Sequence, residues 1–239
     1  IAFQIPNLAR RLFGEGAASA SFIPVYRQEL EHNAKAAKSL ANTVVTAIVL
    51  LLTTLVLAGW AGMWLYSKFF TQSEDTDYML TLISTMLPYM VTVCSVAILA
   101  GILNVHKHFA APAAAPIVLN IFIIAGTLIA CKFMDIPIRQ QFFVVAAAVL
   151  MAGIAQVLLQ LPFLRASGVR IQPCYKFNTP AFKRIMILMG PMIIGLTVTQ
   201  INTLADTWIA RIFSASPEKG QTFTLLGNII DYPLFDGAV

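Results

Sequence analysis

Five stretches of this chain contain no Asp, Glu, Lys or Arg: residues 39–67, 78–106, 108–131, 140–164 and 185–205. A helix needs about 20 predominantly apolar residues to cross the hydrocarbon of a bilayer, and each stretch supplies them. Soluble domains carry about 25% charged residues; here the share is 11%, against 58% hydrophobic residues. A backbone inside hydrocarbon must satisfy its own hydrogen bonds, and for such runs the helix does this. The fold class read from the pattern is all-α, a polytopic transmembrane helix bundle forming a single membrane domain over residues 1–239.

Hydropathy and the charged breaks give seven segments, about 1–26, 39–66, 78–104, 115–134, 139–164, 183–213 and 221–239. Six are complete and the seventh is cut by the end of the chain. The chain opens at Ile1 in apolar sequence and stops at Val239 in another apolar run, so it is expected to be a piece of a longer protein. Loops after the first, third and fifth segments hold Arg27, Lys35, Lys38, Lys107, Arg165, Arg170, Lys176, Lys183 and Arg184. The other loops hold Lys68, Lys132, Arg139, Arg211 and Lys219, together with the acidic Glu74, Asp75 and Asp77. Basic loops stay cytoplasmic, which runs the first segment from outside to inside. The net charge of +5 is thus a topology signal, and nucleic acid is not an expected partner. Cys94, Cys131 and Cys174 are far apart and lack CxxC spacing, so neither a disulfide framework nor a zinc site is expected.

Two arginines interrupt the first segment. Arg10 and Arg11 lie mid-segment and Glu15 follows one turn later. An Arg near mid-bilayer costs roughly 2.5–3.5 kcal/mol on insertion scales, so it is kept for a partner or a water-filled cavity. Arg11 and Glu15 are i,i+4 and can pair. Arg10 points about 100° away, and its planar fork matches phosphate oxygens. The alternative is an interfacial arginine that snorkels to the headgroups. After the arginines, Gly14 with Ala18 and Ala17 with Ser21 have the small-xxx-small spacing of close helix contact.

Other positions admit two readings each. Thr199, Asn202 and Asp206 share a helix face, either as part of a monovalent-cation or proton site or with Asp206 as an interfacial partner of Arg211. Asn228 and Asp231 share another face, as a polar site or as a helix end at the membrane surface. Pro6 and Pro191 mark hinges, or are simply prolines of the kind membrane helices tolerate; Pro24, Pro88 and Pro162 are further kink points. His106 and His108 flank Lys107 in what reads as an ordinary basic loop rather than a metal site. Gln156 and Gln160, i and i+4, read as helix–helix hydrogen-bonding groups. The chain has no Walker loop, no Gly-x-Ser-x-Gly, no His-Glu-x-x-His and no Asp-rich cluster for Mg²⁺, so it is not expected to be an enzyme.

Residues 3–26, FQIPNLARRLFGEGAASASFIPVY, resemble the second transmembrane helix of the MurJ/MviN lipid II flippases. Ala115 to Asn120 (APIVLN), Gly153 to Leu164 (GIAQVLLQLPFL) and Met189 to Gly195 (MGPMIIG) are similar to further stretches of that family, in its order. The resemblance implies about fourteen helices around a central cavity, of which this chain supplies the second to the eighth. It implies a multi-pass protein of the bacterial cytoplasmic membrane that flips lipid II, the undecaprenyl-pyrophosphate-linked peptidoglycan precursor. Membrane lipids are its surroundings, and it is expected to act as a monomer without a cofactor. By the same resemblance Arg10 engages the substrate's pyrophosphate, with Arg11 and Glu15 as neighbours. Asp206 falls where some members place a sodium-coordinating Asp, so Na⁺ or H⁺ coupling is expected there with Asn202 and Thr199. Many members carry an arginine where this chain has Asn228, with the acid three residues on matched by Asp231; one cavity arginine is thus absent. Two alternatives stay open: another exporter of the same superfamily, carrying a polysaccharide lipid or a drug, and a non-transporting scaffold or polyprenyl-phosphate enzyme.

Overall fold

The computed structural model of the protein describes residues 6, 9, 10, 16–69, 74–134 and 136–214. Among these residues the secondary structure is helical, with no strand. The elements are α1 (Ala17–His32), α2 (Ala34–Phe69), α3 (Glu74–Met86), α4 (Tyr89–Val105), α5 (Ala110–Leu128), α6 (Ile138–Ala166) and α7 (Pro180–Ser214). A single π-helical turn, Ile129–Phe133, follows α5. Among the described residues five stretches are long and apolar enough to cross a membrane: Ala34–Phe69, Thr76–Val105, Ala110–Lys132, Ile138–Ala166 and Pro180–Thr199. The expected segment 221–239, and with it Asn228 and Asp231, lies outside the described residues, as do Arg11 and Glu15. The chain divides into two compact units, residues 1–193 and 194–239.

Within the first unit α4 is the central element, packed against α1, α2, α5 and α6. Its sequence explains this: it is apolar all round, and Val93, Cys94, Ile98, Leu99, Ile102 and Leu103 are all buried. A helix without a polar face belongs inside a bundle. By contrast α2 is two-sided. Leu40, Val44, Ile48, Leu52 and Val56 recur at helical spacing on a buried stripe, while Leu50, Leu51, Leu55 and Leu57 are exposed. Near the end of α2 the indole N–H of Trp60 donates to the Ser84 carbonyl at 2.9 Å, and Lys68 Nζ lies 4.2 Å from the ring centre of Trp64. This is the amphipathic belt expected where a helix leaves the hydrocarbon.

Several boundaries differ from the hydropathy reading. The loop expected over 27–38 is helical except at Asn33, whose Oδ1 accepts from the Lys35 and Ala36 amides (3.0 and 3.2 Å) and caps α2. Capping of this kind needs one side-chain acceptor, so a single residue suffices to separate two helices. The segment read as 78–104 is two helices, broken at Leu87–Pro88, because proline lacks the N–H that would continue the ladder. Pro24, Pro116, Pro162 and Pro191 lie inside continuous helices. Two helix ends close in the same way. At α6 the Val169 amide reaches Leu164 O (2.9 Å) around Gly168 at φ 75°; at α4 the His108 amide reaches Leu103 O (2.9 Å) around Lys107 at φ 62°. Both are Schellman closures, and Lys107 takes the left-handed position that glycine occupies at the other end.

The loop between α6 and α7 is tied to α2. The Gln172 amide donates to Asn42 Oδ1 (3.3 Å) and the Cys174 amide to Thr46 Oγ1 (3.1 Å), while Thr43 Oγ1 donates to the Cys174 sulfur (3.3 Å). The Thr43 hydroxyl holds the Cys174 thiol below its ordinary range. None of the three cysteines is in a disulfide.

Close packing of α6 depends on two bare backbone positions. A Cβ on Gly126 of α5 would sit 2.5 Å from the Ala148 Cβ, and one on Gly153 of α6 would sit 2.3 Å from Thr92 Oγ1. Neither neighbour can swing aside: Ala148 Cβ is fixed by its backbone, and the Thr92 hydroxyl is bonded to the Tyr89 carbonyl at 2.9 Å. Gly153→Ala is therefore expected to destabilise the full-length protein by about 1–3 kcal/mol, the usual range for an overpacked site. Gly62→Ala, where a Cβ would meet nothing within 4 Å, should be neutral or slightly stabilising. Thermal melts in detergent compare the two, and an unchanged melt for Gly153→Ala would contradict the close approach.

Candidate functional site

Arg10 lines a cavity of about 320 Å³ whose other walls come from α1, α4, α5 and α6. Four features of the sequence make the space. On α4, Ala97, Ala100 and Gly101 follow one another at helical spacing, and small side chains leave room where larger ones would interlock. Ser19 and Ile23 of α1 face the same space. Pro112, Ala115 and Pro116 of α5 form the third wall, and Gln156 of α6 the fourth. Among the described residues that line it, Arg10 is the one with a permanent charge; Tyr89, Asn104, Ser19 and Gln156 are polar and the rest apolar. A guanidinium at the wall of a low-dielectric cavity attracts anions strongly and offers two parallel N–H groups to a phosphate or carboxylate.

Gln156 bridges α6 to α5: its Nε2 donates to the Ala115 carbonyl at 2.7 Å. This is the interhelical bond expected from the sequence. Gln160, expected to do the same, differs. It is fully buried, and neither its Nε2 nor its Oε1 has a hydrogen-bond partner among the described residues. Each orphaned polar atom costs about 1–3 kcal/mol. Spacing placed both glutamines on one face, but it could not say which of them finds a carbonyl opposite.

A second contact beside the cavity was not legible in the sequence. Tyr26 of α1 is fully buried, stacks on Phe22 with ring centres 5.1 Å apart, and its hydroxyl bonds His106 Nε2 at 2.9 Å. Residues 80 apart in sequence meet here, joining the C-terminal half of α1 to the end of α4. The His-x-His stretch thus positions helices; among the described residues no group of three or more His, Cys, Asp or Glu side chains could hold a metal ion.

Thr199, Asn202 and Asp206 lie on α7 in the second unit. Thr199 Oγ1 donates to the Gly195 carbonyl at 3.1 Å; Thr199 and Asn202 are exposed and Asp206 half-buried. The expected pairing of Arg11 with Glu15, and the face shared by Asn228 and Asp231, fall outside the described residues.

Burial lowers the His106 pKa, and the charges of His108 and Lys38 add to the effect. Below the ordinary value of 6.5 the unfolded chain takes up a proton that the folded site resists. Stability from this site is therefore fully present above about pH 6.5 and is lost as pH falls through the lower folded pKa. The melting temperature of the full-length protein should fall on that acid limb, and His106→Gln should flatten it. Parallel acid limbs for the two proteins would show that His106 does not contribute.

The family model described as lipid II flippase MurJ matches residues 1–218. The chain is 30% identical over 220 residues to the lipid II flippase MurJ of Burkholderia cenocepacia, covering 88% of this chain and 42% of that protein. It is 32% identical to a probable lipid II flippase MurJ of Rickettsia prowazekii (90% and 43% covered) and 34% identical to one of Rhizobium tropici (87% and 40%). The chain spans about half the length of the curated relatives it matches.

Proposed function

The chain belongs to the MurJ lipid II flippase family, and from that premise we propose that the full-length protein carries lipid II from the inner to the outer leaflet of the cytoplasmic membrane. It does so as a monomeric transporter working by alternating access, and not as an enzyme. This chain supplies roughly the second to eighth helices of a larger single membrane domain. The observation that carries the reading is the placement of Arg10: a permanent cation, costly in a membrane, on the wall of a half-open cavity whose other walls come from α1, α4, α5 and α6. In this role Arg10 holds the diphosphate of the headgroup, and Arg11 and Glu15 set the local geometry. Asn228 and Asp231 contribute to the same substrate path from the eighth helix.

The test is complementation of a flippase-depleted bacterium by the full-length gene. Growth with normal cell shape is expected, and failure despite full expression and membrane insertion would overturn the assignment. Within that assay Arg10→Ala should abolish complementation while the protein remains folded. Arg10→Lys should recover it only in part, since an ammonium lacks the bidentate fork. A charge-assisted contact is worth about 1.5–3 kcal/mol, so purified Arg10→Ala should bind lipid II roughly 10- to 100-fold more weakly. Unchanged binding would remove Arg10 from the site.

Outward movement of an anionic headgroup is favoured by an inside-negative potential, at about 2.3 kcal/mol per charge per 100 mV. Resetting the empty carrier then falls to entry of a cation, Na⁺ or H⁺. Asp206, with Asn202 and Thr199, is this chain's share of that site, and further oxygen ligands come from helices beyond it. Asp206→Asn in the full-length protein should slow flipping several-fold and reduce its dependence on the sodium or proton gradient. If Asp206→Asn and potential-collapsing ionophores both leave flipping untouched, the coupling scheme is wrong even where complementation succeeds.

A further inference from the structure

The end of α2 and the start of α3 leave an open cavity between them, of about 320 Å³ and separate from the one that Arg10 lines. α2 lies close to the end of α3 at Gly59, where a Cβ would come within 3.0 Å of the Leu87 side chain. At Gly62 a Cβ would meet nothing within 4 Å, so the space widens from there. Trp60 and Trp64 of α2, and Asp77, Thr81 and Ser84 of α3, line it, each set at the spacing of one helix face. The two indoles are 43% and 59% exposed, and Asp77 is exposed. The hydroxyl protons of this cavity are already committed. Thr81 Oγ1 donates to the Asp77 carbonyl (2.8 Å), Ser84 Oγ to the Thr81 carbonyl (2.7 Å) and Ser67 Oγ, also on the wall, to the Trp64 carbonyl (2.8 Å). The Trp60 N–H is taken by the Ser84 carbonyl at 2.9 Å. A backbone carbonyl only accepts, so the direction of each bond is fixed. What the walls still offer is one carboxylate, hydroxyl oxygens that can accept, and indole faces; the Trp64 N–H is the one side-chain donor these bonds do not use. Such a lining favours a cation. A single carboxylate is a poor cage for a divalent ion, which takes about six oxygen ligands or more. An organic ammonium needs only a carboxylate and aromatic faces.

We propose that this cavity binds the headgroup of an aminophospholipid, phosphatidylethanolamine. Asp77 and the faces of Trp60 and Trp64 take the ammonium. Lys68, whose Nζ lies 4.2 Å from the Trp64 ring centre, supplies a positive charge beside the cavity for the phosphodiester two carbons away from that ammonium. Acid thus meets amine and base meets phosphate, within the aromatic belt where lipid headgroups lie. An anionic lipid without an amine brings nothing for Asp77 to hold. The occupant is a lipid of the bilayer and not the cargo, so the inference is independent of the flippase reading.

The experiment titrates the purified full-length protein in detergent with phosphatidylethanolamine and with phosphatidylglycerol, counting bound lipid by native mass spectrometry. Wild type should bind phosphatidylethanolamine about fivefold more tightly. Asp77→Asn should lower that affinity about fivefold and leave phosphatidylglycerol within about twofold; Trp64→Leu should lower it about threefold. Equal affinity of wild type for the two lipids would overturn the proposal, as would an Asp77→Asn protein that loses neither lipid or both alike. Should Asp77→Asn fail to fold, the wild-type preference and Trp64→Leu decide. Free phosphoethanolamine should not displace the lipid at equal concentration; if it does, the site serves a soluble amine and the assignment to a membrane lipid fails.

Discussion

Two apolar helices surrounded by lipid gain nothing by hiding from water, since hydrocarbon is already their solvent. What holds them is close backbone approach and the few polar bonds made between them. In this bundle that constraint falls on α6. It lies against α5 where Gly126 leaves space for Ala148, and against α4 where Gly153 leaves space for Thr92 and Tyr89. One interhelical bond, from Gln156 to the Ala115 carbonyl, closes the same face. The cavity exists because the approach is uneven: α4 meets α6 closely at Tyr89 and Thr92, then presents Ala97, Ala100 and Gly101, which do not fill the space towards α1 and α5.

The membrane class and the approximate positions of the described segments were legible in the sequence, because charge inside hydrocarbon is costly enough that five gaps could not mean much else. Helix ends were less legible. Hydropathy reports where the chain meets lipid, whereas the backbone ladder runs until something stops it. Thus α2 continues to Phe69 and α7 starts at Pro180, and the supposed loop after Tyr26 is a helix interrupted at Asn33 alone. Pro88 breaks a span while Pro24, Pro116, Pro162 and Pro191 do not; composition cannot tell these apart, because neighbouring helices decide whether a freed carbonyl is tolerable.

The site divides in the same way. Arg10 stood out because a guanidinium in an apolar segment violates a strong rule, and rule-breaking positions are where function is expected. Tyr26 and His106 violate nothing locally, and their bond depends on how α1 crosses α4. The glutamine pair lay between these cases. Spacing put both on one face, but only the fold shows that Gln156 meets a carbonyl while Gln160 does not.

These contacts also constrain how the cavity can open. In its C-terminal half α1 is fixed to the end of α4 by the part-buried Tyr26–His106 bond, and Asn33 is the one residue between it and α2. The loop after α6 is in turn bonded to α2 through Asn42, Thr43 and Thr46. Breaking the Tyr26–His106 bond or those of Thr43 and Thr46 strands a buried or half-buried polar group, whereas Ala97, Ala100 and Gly101 carry no polar side chain to strand. The low-cost motion is therefore one that keeps the linked ends of α1, α2 and α4 together and changes the width of the space beside Ala97, Ala100 and Gly101. Arg10 lies on the wall of that space and Gln156 bonds α6 to another wall, so such a motion changes the room beside the cation without breaking the bond between α5 and α6.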